Sequence, residues 1–127
     1  MAKLNKDLQI GNTNINLETV VNNCIYSTAE QIIGKWINNK PLYRKVISIS
    51  NLVITTSLTT YPVGLINPDK IVKIDLSMRY SNNHWFTFWH LTDITYDPIN
   101  NKILLYGDST ATFPEAYIII EYTKTTD

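Results

Sequence analysis

The densest run of side chains able to do chemistry is His84-Trp85-Phe86-Thr87-Phe88-Trp89-His90. Read as one strand, alternation sets Trp85, Thr87 and Trp89 on one face and His84, Phe86, Phe88 and His90 on the other. The two indoles then stand roughly 13 Å apart, at about 3.3 Å per residue, a separation that suits two rings of an extended glycan. Aromatic faces stack on sugar C–H surfaces, so Trp85 and Trp89, with the nearby Tyr80, form a candidate glycan contact. The competing reading is burial of both faces, one in a sandwich core and the other between subunits or domains. That reading leads, because a strand aromatic on both faces is ordinarily covered on both.

The two histidines share a face of such a strand but lie about 20 Å apart along it, too far for one metal ion without a sharp bend. Asp93 adds a third possible ligand without compact spacing, so structural roles are expected and no cofactor is called for. Asp93 and Asp97 are a carboxylate pair of the kind glycoside cleavage uses, yet Asp97 precedes Pro98, where turn formation is reason enough for it. The sequence holds no Gly-x-Ser-x-Gly elbow, no phosphate-binding glycine loop and no His-Glu-x-x-His helix. Cys24 is the only cysteine, has no evident base partner and reads as a small, partly buried apolar residue. Lys40, Arg44 and Lys45 surround Tyr43 in the only local concentration of positive charge, which reads as a solvated face. Enzyme activity is therefore not expected.

The elements that must position these residues are strands. Ile, Thr, Asn and Tyr are abundant and only four glycines are present, a balance that favours sheet and leaves Asn, Asp and Pro to make the turns. With 127 residues and 14.6 kDa the chain fits one core, and 44% hydrophobic against 17% charged residues is a globular composition. Eleven basic and eleven acidic residues leave no global field to gather nucleic acid or an anionic membrane surface. No apolar stretch approaches the roughly 20 residues a bilayer-spanning helix needs, and the first residues lack the apolar segment of a secretory signal, so synthesis in a cytoplasm is expected.

Strands are expected at Val46–Ile49, Leu52–Thr56, Ile71–Leu76, His84–His90, Ile94–Tyr96, Lys102–Tyr106 and Ala116–Tyr122, with a Thr-rich stretch running to Tyr61. A hairpin is expected where Trp36-Ile37 and Leu42-Tyr43 flank Asn38-Asn39-Lys40-Pro41. Short strands joined by Asn-, Asp- and Pro-rich turns indicate an all-β fold, an antiparallel, jelly-roll-like β-sandwich over residues 24–127. Residues 1–23 form no obvious compact unit. Asn16 is placed to cap a helical turn over Leu17–Val21, and Leu4, Leu8, Ile10, Leu17, Val20 and Val21 would gain most by packing on another copy or a larger assembly. These six residues are the candidate attachment and oligomerisation set.

The run from Tyr26 to Lys45 resembles a Tyr-Ser-Thr-x-Glu-x-x-x-Gly-x-Trp-x-x-x-Lys-Pro-x-Tyr-x-Lys pattern of small fibre and tail-associated virion proteins of bacteriophages. The close of the chain, Ile118 to Asp127, is similar to the terminal Tyr-Thr-Lys-Thr-Thr-Asp strand of such proteins. Where many relatives have Asp-Gly in the hairpin loop this chain has Asn38-Asn39, and Asn tolerates the left-handed conformation. The resemblance implies a non-enzymatic head fibre, tail fibre or capsid decoration component located in the virion. It would be a homotrimer, attached to capsid or tail proteins through its opening segment, with host-surface glycan as a further partner. The lack of a long upstream shaft favours a short head fibre, decoration protein or tip. A carbohydrate-binding receptor-recognition module is the alternative, and a glycan-cleaving tail enzyme comes third.

Overall fold

The computed structural model describes residues 7–10, 13–16 and 25–127. All its regular structure is β. In chain order the strands are β1 (Asp7–Ile10), β2 (Thr13–Asn16), β3 (Gln31–Lys35), β4 (Pro41–Ile54), β5 (Thr59–Pro62), β6 (Pro68–Arg79), β7 (Trp85–Phe86), β8 (Leu91–Asp97), β9 (Lys102–Gly107) and β10 (Ala111–Lys124). β1 and β2 pair with each other, and the other eight strands form a five-stranded antiparallel sheet in the order β3-β4-β10-β6-β7 and a three-stranded one in the order β5-β9-β8. The two enclose one core as an antiparallel β-sandwich. Nested pairing of β4 with β10 and β5 with β9 winds the chain in the manner of a jelly roll.

The sequence dictates the long central strands through a period of two. In β10, Ala116, Ile118, Ile120 and Tyr122 are fully buried, while Glu115, Tyr117, Ile119 and Glu121 alternate with them toward the outer face. Leu76 and Met78 of β6 and Leu52 and Ile54 of β4 join them against Ile103 and Leu105 of β9. Between Ile49 and Leu52 of β4 and between Phe113 and Ala116 of β10 the inward set advances by three residues instead of two. Asn51, in the left-handed region at φ 56°, and Pro114 occupy that interval on the two strands. Both strands change phase together, so their far ends stay in the core.

Turns are made by asparagine, as its abundance implies: Asn39, Asn67, Asn83 and Asn101 all have φ between 50° and 67°. Asn39 lies in the β3–β4 connection, where the Trp36 carbonyl accepts from the Asn39 amide at 2.8 Å, which is the hairpin expected around Asn38–Pro41.

Two expectations are corrected. The stretch from His84 to His90 is not one strand: pairing is confined to Trp85 and Phe86, and the chain then turns, with His90 at φ 60°. The turn lets Trp89 fold back onto Phe86, with ring centroids 4.4 Å apart, and meet Tyr80 and Phe113 edge-on at 4.8 and 6.2 Å. Burying a second large ring against the core outweighs continued edge pairing over residues 87–90. Near the start, β1 and β2 pair as a hairpin, with Leu8 opposite Ile15 and Ile10 opposite Thr13. Asn16 is the last residue of β2, opposite Asp7, and the helical turn expected over Leu17–Val21, like Leu4 and Cys24, lies outside the described residues.

The ends of β4 and β10 are tied by phenol–carboxylate contacts. Tyr43 donates to Asp127 at 2.7 Å, the fully buried Tyr122 donates to Glu30, and Lys124 reaches the other oxygen of Glu30 at 2.5 Å. The bond to Asp127, aided by burial, pushes Tyr43 up to about 12 from an ordinary 10.0, while burial and then Glu30 raise Tyr122. Both phenols bind their protons more tightly folded than unfolded. Their contribution is complete below about pH 10 and is lost as pH rises through the folded values. The urea midpoint is expected to fall between pH 10 and 12, and Tyr43→Phe is expected to flatten that fall.

Candidate functional site

The outer face of the five-stranded sheet carries the site. Trp85 stands opposite Arg79 at the sheet edge and is 50% exposed. Its ring lies nearly parallel to that of Tyr117 on β10, at 15° with centroids 6.3 Å apart. Val46 of β4, Ile119 of β10 and the ring of Tyr26 extend this surface into a shallow groove of about 610 Å³, with Ser27, Thr28 and Ser77 supplying hydroxyls. The groove is mainly apolar with a few convergent hydroxyl groups, the character of a ligand cleft.

Its walls are fixed from behind. Glu115 accepts from the Tyr117 hydroxyl and from Arg79 Nε at 3.2 Å, and Arg79 also donates to Asn83 at 3.2 Å. The Tyr117 and Arg79 contacts, in that order, hold the Glu115 carboxyl below its usual range, and the same hydrogen bond raises Tyr117. On the other flank the Arg44 guanidinium lies 3.9 Å from the Tyr26 ring centroid and donates to the Ile25 carbonyl and Gln31 at 3.3 Å. This cation–π contact holds Tyr26 at the rim.

Trp85, Trp89 and Tyr80 do not share a surface. Trp85 faces outward, whereas Trp89 and Tyr80 are half-buried among Phe86 and Phe113, where they brace β7. The groove's other rings, Tyr117 and Tyr26, escaped the sequence reading. The alternation Glu115-Tyr117-Ile119-Glu121 marks Tyr117 as outward-facing, but nothing in the sequence places it beside Trp85. The basic group is not one solvated face either. Arg44 is buried under Tyr26, Lys40 reaches Asp69 at 3.5 Å, and Lys45 reaches the Gly64 carbonyl at 3.4 Å.

No protein-family model, no curated protein and no solved structure matches this chain.

The remaining polar clusters do not converge on the groove. His90 Nδ1 lies 3.1 Å from Asp108 and 2.8 Å from Ser109 Oγ, and Ser109 also donates to Asp108 at 3.1 Å. A serine-nucleophile triad needs the carboxylate on one ring nitrogen and the serine on the other; here both contact Nδ1, and the cluster instead ties two loops. The hydrogen bond from His90 holds the Asp108 carboxyl low. Asp97 accepts from the Asn100 side chain at 2.8 Å and from the Ile99 amide at 2.9 Å, contacts that lower its pKa and close the β8–β9 turn. Asp93 accepts from Thr95 at 3.1 Å. Among the described residues, no three His, Cys, Asp or Glu side chains gather as metal ligands would.

Proposed function

We propose that this chain is a non-enzymatic structural component of a bacteriophage virion, a head fibre, tail fibre or decoration protein, that works by self-association and docking. The observation that carries the binding half is the aromatic groove on the outer sheet face, where Trp85 is half exposed beside Tyr117. The resemblance of Tyr26–Lys45 and of the final strand to phage fibre proteins supplies the virion setting and a trimeric count. Docking onto capsid or tail falls to the opening segment with Leu4, Leu8, Ile10, Leu17, Val20 and Val21. Particles assembled with a chain lacking residues 1–23 are expected to lack the protein; its undiminished incorporation would remove that role.

The groove also favours a carbohydrate reading. Two near-parallel rings offer faces to sugar C–H groups, and Ser27, Thr28 and Ser77 offer hydroxyls at the rim. Trp85→Ala and Tyr117→Ala are each expected to weaken binding to host cells or a glycan array by about tenfold or more, with far-UV circular dichroism unchanged. Trp89→Ala and Tyr80→Ala are expected to act through stability instead. Binding unaffected by Trp85→Ala would take this groove out of recognition.

A further inference from the structure

The groove on the outer sheet face is bracketed by charges that are already paired. Cross-strand register lays that face out in rows over β4, β10 and β6. Arg44, Glu121 and Lys73 lie side by side; next along come Val46, Ile119 and Asp75, then Ser48, Tyr117 and Ser77, then Ser50, Glu115 and Arg79. The groove lies over the two middle rows and reaches the edge, where Trp85 stands opposite Arg79. From Val46 on β4 to Trp85 on β7 it crosses three strand spacings, about 14 Å, room for a short stretch of sugar chain.

Each cation in these rows has a carboxylate beside it. Arg79 donates through Nε to Glu115 and through Nη1 to Asn83, both at 3.2 Å. Lys73 Nζ lies 3.2 Å from Asp75, and Glu121 stands opposite both Lys73 and Arg44. Arg44 is buried, with the Tyr26 ring over its guanidinium. A ligand carboxylate or phosphate placed between these rows loses water without gaining a counter-charge, which disfavours it. Sugar hydroxyls are better matched. The Tyr117 hydroxyl gives its proton to Glu115, so its oxygen accepts from a ligand, whereas Ser27 Oγ accepts from the Ala29 amide at 3.0 Å and keeps its proton to donate. Glu115 serves both ends of this arrangement: one carboxylate orients Tyr117 and balances Arg79, the cation directly opposite Trp85.

Resting on the carbohydrate reading of the groove, we propose that its ligand is an uncharged sugar chain, and that Glu115 is the positioning residue that sets this preference by tying Arg79 away from the ligand.

The test is an array of immobilised oligosaccharides in which each neutral backbone stands beside its sialylated or uronic-acid-capped counterpart, probed with the full chain. Wild-type protein is expected to hold the neutral members at least about tenfold more strongly than their acidic counterparts, with little dependence on added salt. Glu115→Gln keeps an oxygen to accept from Tyr117 but leaves Arg79 without its counter-charge, and is expected to bring the acidic members to within about threefold of the neutral ones. Adding Arg79→Gln to that variant is expected to restore the wild-type ratio, a return that general loosening of the sheet would not produce. Acidic members held as strongly as neutral ones by the wild type, or a ratio that Glu115→Gln does not move, would overturn the proposal and leave the carbohydrate reading standing. Retention of no sugar of either kind would overturn both.

Discussion

Phe113→Ala is expected to lower the unfolding free energy by about 3–5 kcal/mol, read from the urea or guanidinium midpoint at 25 °C. Phe113 is fully buried on β10 and meets Tyr80 and Trp89 edge-on at 5.8 and 6.2 Å. Its ring has two parts in the fold. It fills the core beyond the phase change at Pro114, and it is the floor on which Trp89 closes after the chain turns. The truncation leaves a cavity under two large rings whose backbone is anchored elsewhere: Tyr80 N–H donates to the His84 carbonyl, and the Asp108 amide donates to that of His90, both at 2.9 Å. Collapse is thus restricted, which places the cost toward the upper part of the range. Phe113→Leu, which keeps most of the volume, is expected to cost less than half as much. If the groove has the recognition role proposed for it, weaker binding is expected to accompany Phe113→Ala even though Phe113 does not line it, because β7 packs on that aromatic cluster through Phe86.

Gly107→Ala is expected to be nearly as damaging, at about 3 kcal/mol or more, through overpacking. A Cβ there would lie 2.4 Å from Ile54 Cγ2, 2.8 Å from the Thr55 carbonyl oxygen and 2.9 Å from that of His90. The methyl of Ile54 can yield only by leaving a fully buried rotamer. The two oxygens are held in hydrogen bonds, from Gly107 N–H to Thr55 and from Asp108 N–H to His90, each at 2.9 Å. Relief of the clash therefore requires breaking at least one junction between β4, the turn before β8 and the end of β9. A thermal scan is expected to show a fall in midpoint comparable to that of Phe113→Ala. A fall of only a degree or two would mean that this junction yields more readily than its hydrogen bonds imply.

What the sequence made legible was the part governed by local periodicity. Ile71–Leu76, which alternates from Val72 onward, and Ala116–Tyr122, a run of strand-forming residues, became parts of β6 and β10, and the asparagine hairpin at 38–41 formed through the conformation asparagine tolerates. Failures came where a tertiary contact outweighed the local pattern. Seven residues from His84 to His90 satisfy a strand template, yet Trp89 gains more by folding onto Phe86 and Phe113 than by continuing an edge. The β1–β2 hairpin was missed because its strands are four residues each, too short for alternation to stand out. The groove was half legible: Trp85 is marked by its type, but Tyr26 and Tyr117 are some 90 residues apart along the chain and meet Trp85 only through sheet order.

The place of β10 bears on how the protein is made. β10 comes after β4 and β6 in the chain yet lies between them in the larger sheet, so neither flanking strand has its main partner until Ala111–Lys124 has been made. A nascent chain stopped anywhere before Ala111 holds two long strands with bare edges and no centre. Closing the larger sheet therefore depends on contacts distant in sequence, which makes folding slow for a domain of this size. Chains that stop before β10 cannot close the sheet, and only copies that carry it would be competent to join an assembly.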